Sequence, residues 1–486
     1  MPVMLGLVRP RPCAFRDARR RPGPDPAARR VGAATTFLLA VAVPLVATTC
    51  HRGNDRTAPH IFLVTSDALR FDHLSINGYG RATSPHIDRF CGESWHFTNA
   101  VTVVPKTGPS FATLFSGRHP EEHGVRSNFD GVPEALPLLA ERLRSLGYAT
   151  AAFVGNPVLR AATGFTRGFD HYVIFDGKHQ DGVRSVNEAF FAWARARAWD
   201  RPAFVWLHYM DPHGPYAPPA PLVQPFLDDE LARSDERLPP APPDPPGGNR
   251  NKVRGAIPEY QLWGDERRVA SYVARYDGEI RYMDAAFGEF LAFAAARGLL
   301  ADGAVVFTSD HGESLGEDGF YFEHGWFAHE PALKVPLAIK PPGRAERRIV
   351  TAQASNLDLF PTLLALAGST DEGGGDGSNL LAPLAERPPL LIANADLYPE
   401  SYRGLRSERW KYLVRTGDGA EWLFDLERDP HETRNLAESE ANRLAELRRL
   451  LVQTEERLRA AAVPRSAARP DDPETLNRLR SLGYVD

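Results

Sequence analysis

Asp67, Thr107, Asp310 and His311 each follow a stretch that reads as a buried strand, and together they have the makings of a nucleophile and its activator. Residues 95–104 alternate and are rich in β-branched and aromatic side chains, while apolar spacing turns helical after Pro109, so Thr107 falls at a strand-to-helix turn. A hydroxyl there faces unpaired backbone N–H groups and the positive end of the helix dipole, a setting that suits attack on a phosphate or sulfate ester. The same place suits a plain N-cap threonine. Asp67 ends the apolar run 59–66, where ligand groups gather in open α/β sheets; it reads as a metal ligand or as an ordinary Asx turn. Asp310 and His311 end the run 303–309, and both can reach one cation if the chain turns at Gly312. Asn156, after the buried run 149–154, could donate to a substrate oxygen or simply open the turn before Pro157.

One His nitrogen among two carboxylates suits Zn2+ or Mn2+ and disfavours Ca2+ and Mg2+, which prefer oxygen shells. Such a cation would stabilise a Thr107 alkoxide, a poor nucleophile precursor near neutral pH without it.

The elements that must hold these groups follow from the rest of the chain. With 486 residues and 43% hydrophobic content, the chain can bury one large core and a smaller companion. The runs 204–209 and 335–339 read as further strands, and 268–297 as a long helix. Between them, residues 217–265 form a Pro-rich extended loop expected at the rim of the site. A net charge of −5 spread along the chain gives no footprint for nucleic acid. Three cysteines, two of them (Cys13 and Cys50) ahead of the globular part, suggest neither a disulfide framework nor a thiolate metal site. Residues 1–58 carry an Arg-rich leader and an apolar run from 31 to 46, which predicts an export signal or a membrane anchor, with Cys50 a candidate lipid attachment point. The remainder is then expected outside the cytoplasm.

The stretch 104–118 resembles the active-site signature of the sulfatase family, within the alkaline phosphatase superfamily. Thr107, Pro109, Ser110, Leu114, Ser116, Gly117 and Arg118 fall on that signature in register. Two positions depart from it: the Cys or Ser that sulfatases convert to formylglycine is Thr107, and an Arg that holds that group is Phe111. Threonine there resembles the nucleophile of the superfamily's phosphodiesterases and phosphoethanolamine transferases. The resemblance implies an alkaline-phosphatase-like mixed sheet sandwiched by helices over residues 59–370, followed by a smaller α+β subdomain over 379–486. It implies Asp67, Thr107, Asp310 and His311 as metal ligands, His213 and His324 as catalytic groups at the substrate oxygens, and Lys106, Asn156 and Arg118 as substrate-binding. Ala68 stands where many members have a second Asp. The implied activity is metal-dependent hydrolysis of phosphate mono- or diesters, on a small-molecule, glycan or lipid ester. Alternatives are a sulfuric ester hydrolase, a transferase of a phospho-group to lipid or glycan, and a silent glycan-binding protein.

Overall fold

The computed structural model describes residues 58–175, 182–242, 254–343, 345–371, 374–383, 387–394, 401–468, 473–482 and 484. The predicted leader with Cys50 and the centre of the Pro-rich loop lie outside these. Among the described residues no helix is long and apolar enough to cross a membrane.

Eight strands build the central sheet: β1 (Ile61–Asp67), β2 (Trp95–Phe97), β3 (Ala149–Val154), β4 (His171–Ile174), β5 (Ala203–Pro212), β6 (Ala304–Ser309), β7 (Leu337–Lys340) and β8 (Arg348–Val350). Their order is β8-β2-β7-β6-β1-β5-β3-β4, and β7 alone runs against its neighbours. The expected mixed sheet is therefore present. β1 is buried along its whole length, and its alternate residues serve different cores: Phe62 and Val64 on one face, Ile61 and Leu63 on the other. A strand covered on both faces must be apolar throughout, which is why these runs were continuous rather than alternating.

Helices α2 (Gly182–Ala196) and α3 (Val269–Ala296) cover the first face through Val186, Phe190, Tyr272, Ile280 and Phe287. The second face is covered by α1 (Thr107–Ser116) and α4 (Leu359–Leu366) through Phe111, Leu114, Phe115 and Leu363. Because β1, β3, β5 and β6 are parallel, their carboxyl ends open at one edge. That edge collects Asp67, Asn156, His213, Asp310 and His311.

A second, antiparallel sheet follows, of β9 (Leu390–Ala393), β10 (Tyr402–Arg406), β11 (Trp410–Arg415) and β12 (Glu421–Asp425). One face of it packs on α5 (Ala441–Ala460), where Leu405, Tyr412 and Leu423 meet Leu444, Leu447 and Leu451. Residues 463–468 then return to the unit of the central sheet, and α6 (Pro473–Ser481) and Tyr484 follow.

Candidate active site

Thr107 is the first residue of α1, and the N-cap is Lys106, whose backbone is extended. Neither side chain caps the helix. The cap reading of Thr107 thus gives way to another contact: its hydroxyl faces His311 Nε2 at 3.4 Å. His311 Nε2 also lies 3.4 Å from Asp310 Oδ2 and 3.7 Å from Asp67 Oδ1. Asp67, Asp310 and His311 are all fully buried, and one ligand atom from each falls within 4.8 Å of the others.

The surrounding hydrogen bonds leave both carboxylate oxygens unspent and give His311 Nε2 only the Thr107 hydroxyl. Asp310 Oδ1 accepts from the Ala68 and His311 N–H groups, at 3.2 and 2.8 Å, while its Oδ2 has no hydrogen-bond partner. Asp67 Oδ2 accepts from Asn156 Nδ2 at 2.6 Å and faces His208 Nε2 at 3.4 Å, while its Oδ1 has no hydrogen-bond partner. His311 Nδ1 lies 2.8 Å from the Gly312 carbonyl, which can only accept, so Nδ1 carries the proton and Nε2 presents its lone pair. Two unpartnered buried carboxylate oxygens and an imidazole lone pair that meets the Thr107 hydroxyl, converging, are what a divalent cation requires.

Charge points the same way. Burial, and next the facing Asp67, push the Asp310 carboxyl well above its ordinary range. Burial opposes ionisation of Asp67 too, yet His208, His213 and His311 hold it below the usual range. Two buried carboxyls that cannot both ionise comfortably are relieved by a bound cation.

The turn after β6 depends on Gly312 for closeness rather than for a special dihedral. A Cβ there would sit 1.9 Å from the Pro331 carbonyl oxygen, and the Gly312 N–H donates to Ala332 O at 2.8 Å. Gly312→Ala should therefore push His311 out of place. The expected cost is about 1–3 kcal/mol of stability, read as a lower Tm together with weaker metal uptake.

Around this group stand the residues expected at the substrate. His213 lies just past β5; its Nδ1 donates to Gly214 O at 2.7 Å. His324 joins through Glu313, Nδ1 to Oε1 at 3.2 Å, with its ring 4.2 Å from that of His311 and 5.0 Å from that of His213. Lys106 is buried beside them, and burial lowers its ammonium to about 8 even though Glu313, Glu323, Asp67 and Asp310 favour the charge. Asn156 is present, but its amide is committed: Oδ1 accepts from the Val158 N–H at 2.8 Å, and Nδ2 donates to Asp67 and to Tyr484. It positions Asp67 while its other amide contact is taken by Tyr484.

Two expectations fail on geometry. Arg118 lies beyond the far end of the ten-residue α1, about 15 Å from Thr107 by helix rise, and pairs with Glu122 at 3.1 Å. The helix N-terminus is also less open than expected, because the Gly108 N–H already donates to Asn128 Oδ1 at 2.8 Å.

Sequence reasoning missed four groups. Glu313 sits two residues past His311, close enough to have been suspected; it accepts from Tyr216 Oη at 3.1 Å, and burial raises its carboxyl to about 8. Glu323 precedes His324 in the same run and is buried near Lys106. His208 reads as a lone core histidine inside an apolar strand, yet it backs Asp67; Thr65 Oγ1, which accepts from Trp206 Nε1, meets its Nδ1 at 2.9 Å. Tyr484, 328 positions from Asn156, reaches it at 2.8 Å.

The sulfatase family profile matches residues 59–369, and that of the N-sulphoglucosamine sulphohydrolase C-terminal region matches 316–460. The chain is similar to an arylsulfatase of Clostridium perfringens, 24% identical over 473 residues that span 81% of this chain and 94% of the other. It is similar to a choline-sulfatase of Rhizobium meliloti, 27% identical over 436 residues, 78% of this chain and 83% of the other. Among solved structures it shares its fold with a phosphonate monoester hydrolase of Agrobacterium radiobacter, at a TM-score of 0.66 and 21% identity over 85% of this chain and all of that one. The chain belongs to the sulfatase family and is a hydrolase of the kind that acts on sulfuric or phosphoric esters.

Proposed function

We propose that this hydrolase cleaves phosphate mono- or diesters through Thr107, with a divalent cation, Zn2+ or Mn2+ by ligand type, held by Asp67, Asp310 and His311. The observation that carries the reading is the Thr107 hydroxyl, which faces His311 Nε2 at 3.4 Å in the position where sulfatases carry the Cys or Ser that becomes formylglycine. Threonine cannot undergo that conversion. When bound, the cation would lower the hydroxyl's pKa and polarise the ester oxygen.

The chain's own residues do the rest. Thr107 Oγ attacks phosphorus in line; the new P–O bond forms as the ester P–O bond breaks, and the leaving oxygen departs with a proton. Water then attacks the phosphothreonine, returning Thr107 and releasing the phosphate product. Lys106, His213 and His324 face the non-bridging oxygens, on which charge builds. Asn156 and His208 keep Asp67 aimed, and Glu313 does the same for His324.

Lys106 ties this reading to pH. Above about 8 its ammonium discharges while Glu313, also near 8, ionises. Both changes make the site more negative toward an anionic ester, so KM should rise as pH passes through 8. Lys106→Gln should raise KM about 10- to 100-fold at pH 7, the loss of one charged hydrogen bond, and flatten that rise.

The relatives' names favour a second reading, hydrolysis of sulfate esters. Purified residues 51–486, supplied in turn with Zn2+, Mn2+ or Ca2+, would be offered aryl phosphate monoester, diester and sulfate substrates. Phosphoester turnover that vanishes in Thr107→Ala supports the first reading. Turnover of sulfate alone, surviving that substitution, would replace it with the second and remove Thr107 from the mechanism.

A further inference from the structure

After α5 the chain crosses back over the catalytic unit. Val463 N–H donates to Glu122 O at 2.9 Å, and Ser466 and Ala467 pair antiparallel with Gly131 and Asp130. The approach there is tight, since a Cβ on Gly131 would lie 2.7 Å from the Ala467 carbonyl oxygen. Beyond it, Leu479 and Leu482 pack on Val158 and Met210, which flank Asn156 and His213. This packing delivers Tyr484.

The Tyr484 hydroxyl sits among the groups assigned to the nucleophile and substrate. It is 2.8 Å from Asn156 Nδ2 and 3.0 Å from His213 Nε2, with Thr107 a further hydrogen-bond neighbour. Lys106 Nζ lies 5.7 Å from the centre of its ring. The protons can be assigned: His213 Nδ1 donates to Gly214 O, so Nε2 accepts from Tyr484, while Asn156 donates to the phenol oxygen. One oxygen atom is thus bound as an incoming ligand oxygen would be. With it in place, Thr107 and Asn156 are 0% and His213 1% exposed. An ester cannot reach a nucleophile with no open surface, so something must move first.

We propose that Tyr484 is an internal stand-in for substrate: its hydroxyl holds the place of one oxygen of the phosphate or sulfate group and is displaced when that group binds. The inference rests on the reading of Thr107 as the nucleophile. Substrate binding then exchanges one set of hydrogen bonds for another, and the returning segment weakens affinity by the bonds that must break. Tyr484→Phe removes the hydroxyl and keeps the ring that packs on its neighbours; Tyr484→Ala removes both.

The test is calorimetric titration of inorganic phosphate, and separately of inorganic sulfate, into the full-length, metal-supplied wild type and both variants. Tyr484→Phe should bind at least one of the two anions about tenfold more tightly than wild type, about 1.4 kcal/mol, and Tyr484→Ala at least as tightly as that. KM for the aryl ester that is turned over should fall in parallel. Unchanged or weaker binding of both anions in both variants would overturn the proposal and make Tyr484 a fixed wall of the site. No binding in any of the three proteins would overturn it as well. Wild-type ester turnover, measured alongside, reads the functional assignment separately. Tighter anion binding without any turnover removes the hydrolase mechanism and leaves Tyr484 as the occupant; turnover with unaltered binding does the reverse.

Discussion

Thr107→Ala should lower phosphoester turnover by at least about 10³-fold, on the order of 4 kcal/mol of transition-state stabilisation. The substitution removes one hydroxyl whose described contacts are with His311 and Tyr484. Thr107 caps nothing, and its helix begins from Lys106, so α1 should form unchanged and Tm should stay close to that of wild type. The loss should appear in kcat, because the proposed substrate contacts of Lys106, His213 and His324 are left in place. A cap threonine would give the opposite pattern, with lower stability and preserved turnover.

Asp310→Asn separates metal binding from folding. The amide oxygen can still accept from the Ala68 and His311 N–H groups, so the turn after β6 keeps its bonds. The atom lost is Oδ2, the unpartnered oxygen that faces His311 Nε2. Metal affinity should fall by more than the ~10- to 100-fold expected for loss of an outer partner, and turnover should fall with it. The metal-free protein should respond in the other direction. Burial and Asp67 make the Asp310 carboxyl costly to ionise, so the metal-free variant should melt above the metal-free wild type. Metal then raises Tm of the wild type and not of the variant. Melting scans with and without excess Zn2+ or Mn2+ check both halves. A variant that binds metal stoichiometrically, with the wild-type shift in Tm, would remove Asp310 from the ligand set.

Much of the site was legible because a parallel sheet converts a one-dimensional signal into a three-dimensional one. An apolar run that stops at a polar residue marks a strand's carboxyl end, and parallel neighbours bring those ends to one edge; Asp67, Asp310 and His311 were found that way. Thr107 was harder, since a cap and a nucleophile occupy neighbouring positions of the same turn. The structure bears on the cap alone, by placing Lys106 at the N-cap and Thr107 inside the helix. Arg118 was misplaced by register with a signature, although the 1.5 Å rise of a helix already carries it away from Thr107. Asn156 was seen as a donor, but sequence cannot tell on which acceptor a donor is spent. Tyr484 left no signal, because its partners lie far away in the chain and no local period records such a pairing.

The central claim is that Thr107 itself takes the phosphoryl group. The most direct test mixes metal-supplied enzyme with an aryl phosphate, quenches in acid during turnover, and maps the added mass by peptide mass spectrometry. A phosphoryl group on Thr107, absent from Thr107→Ala, is the result predicted here. Turnover with no label on Thr107, or turnover that persists in Thr107→Ala, would contradict it.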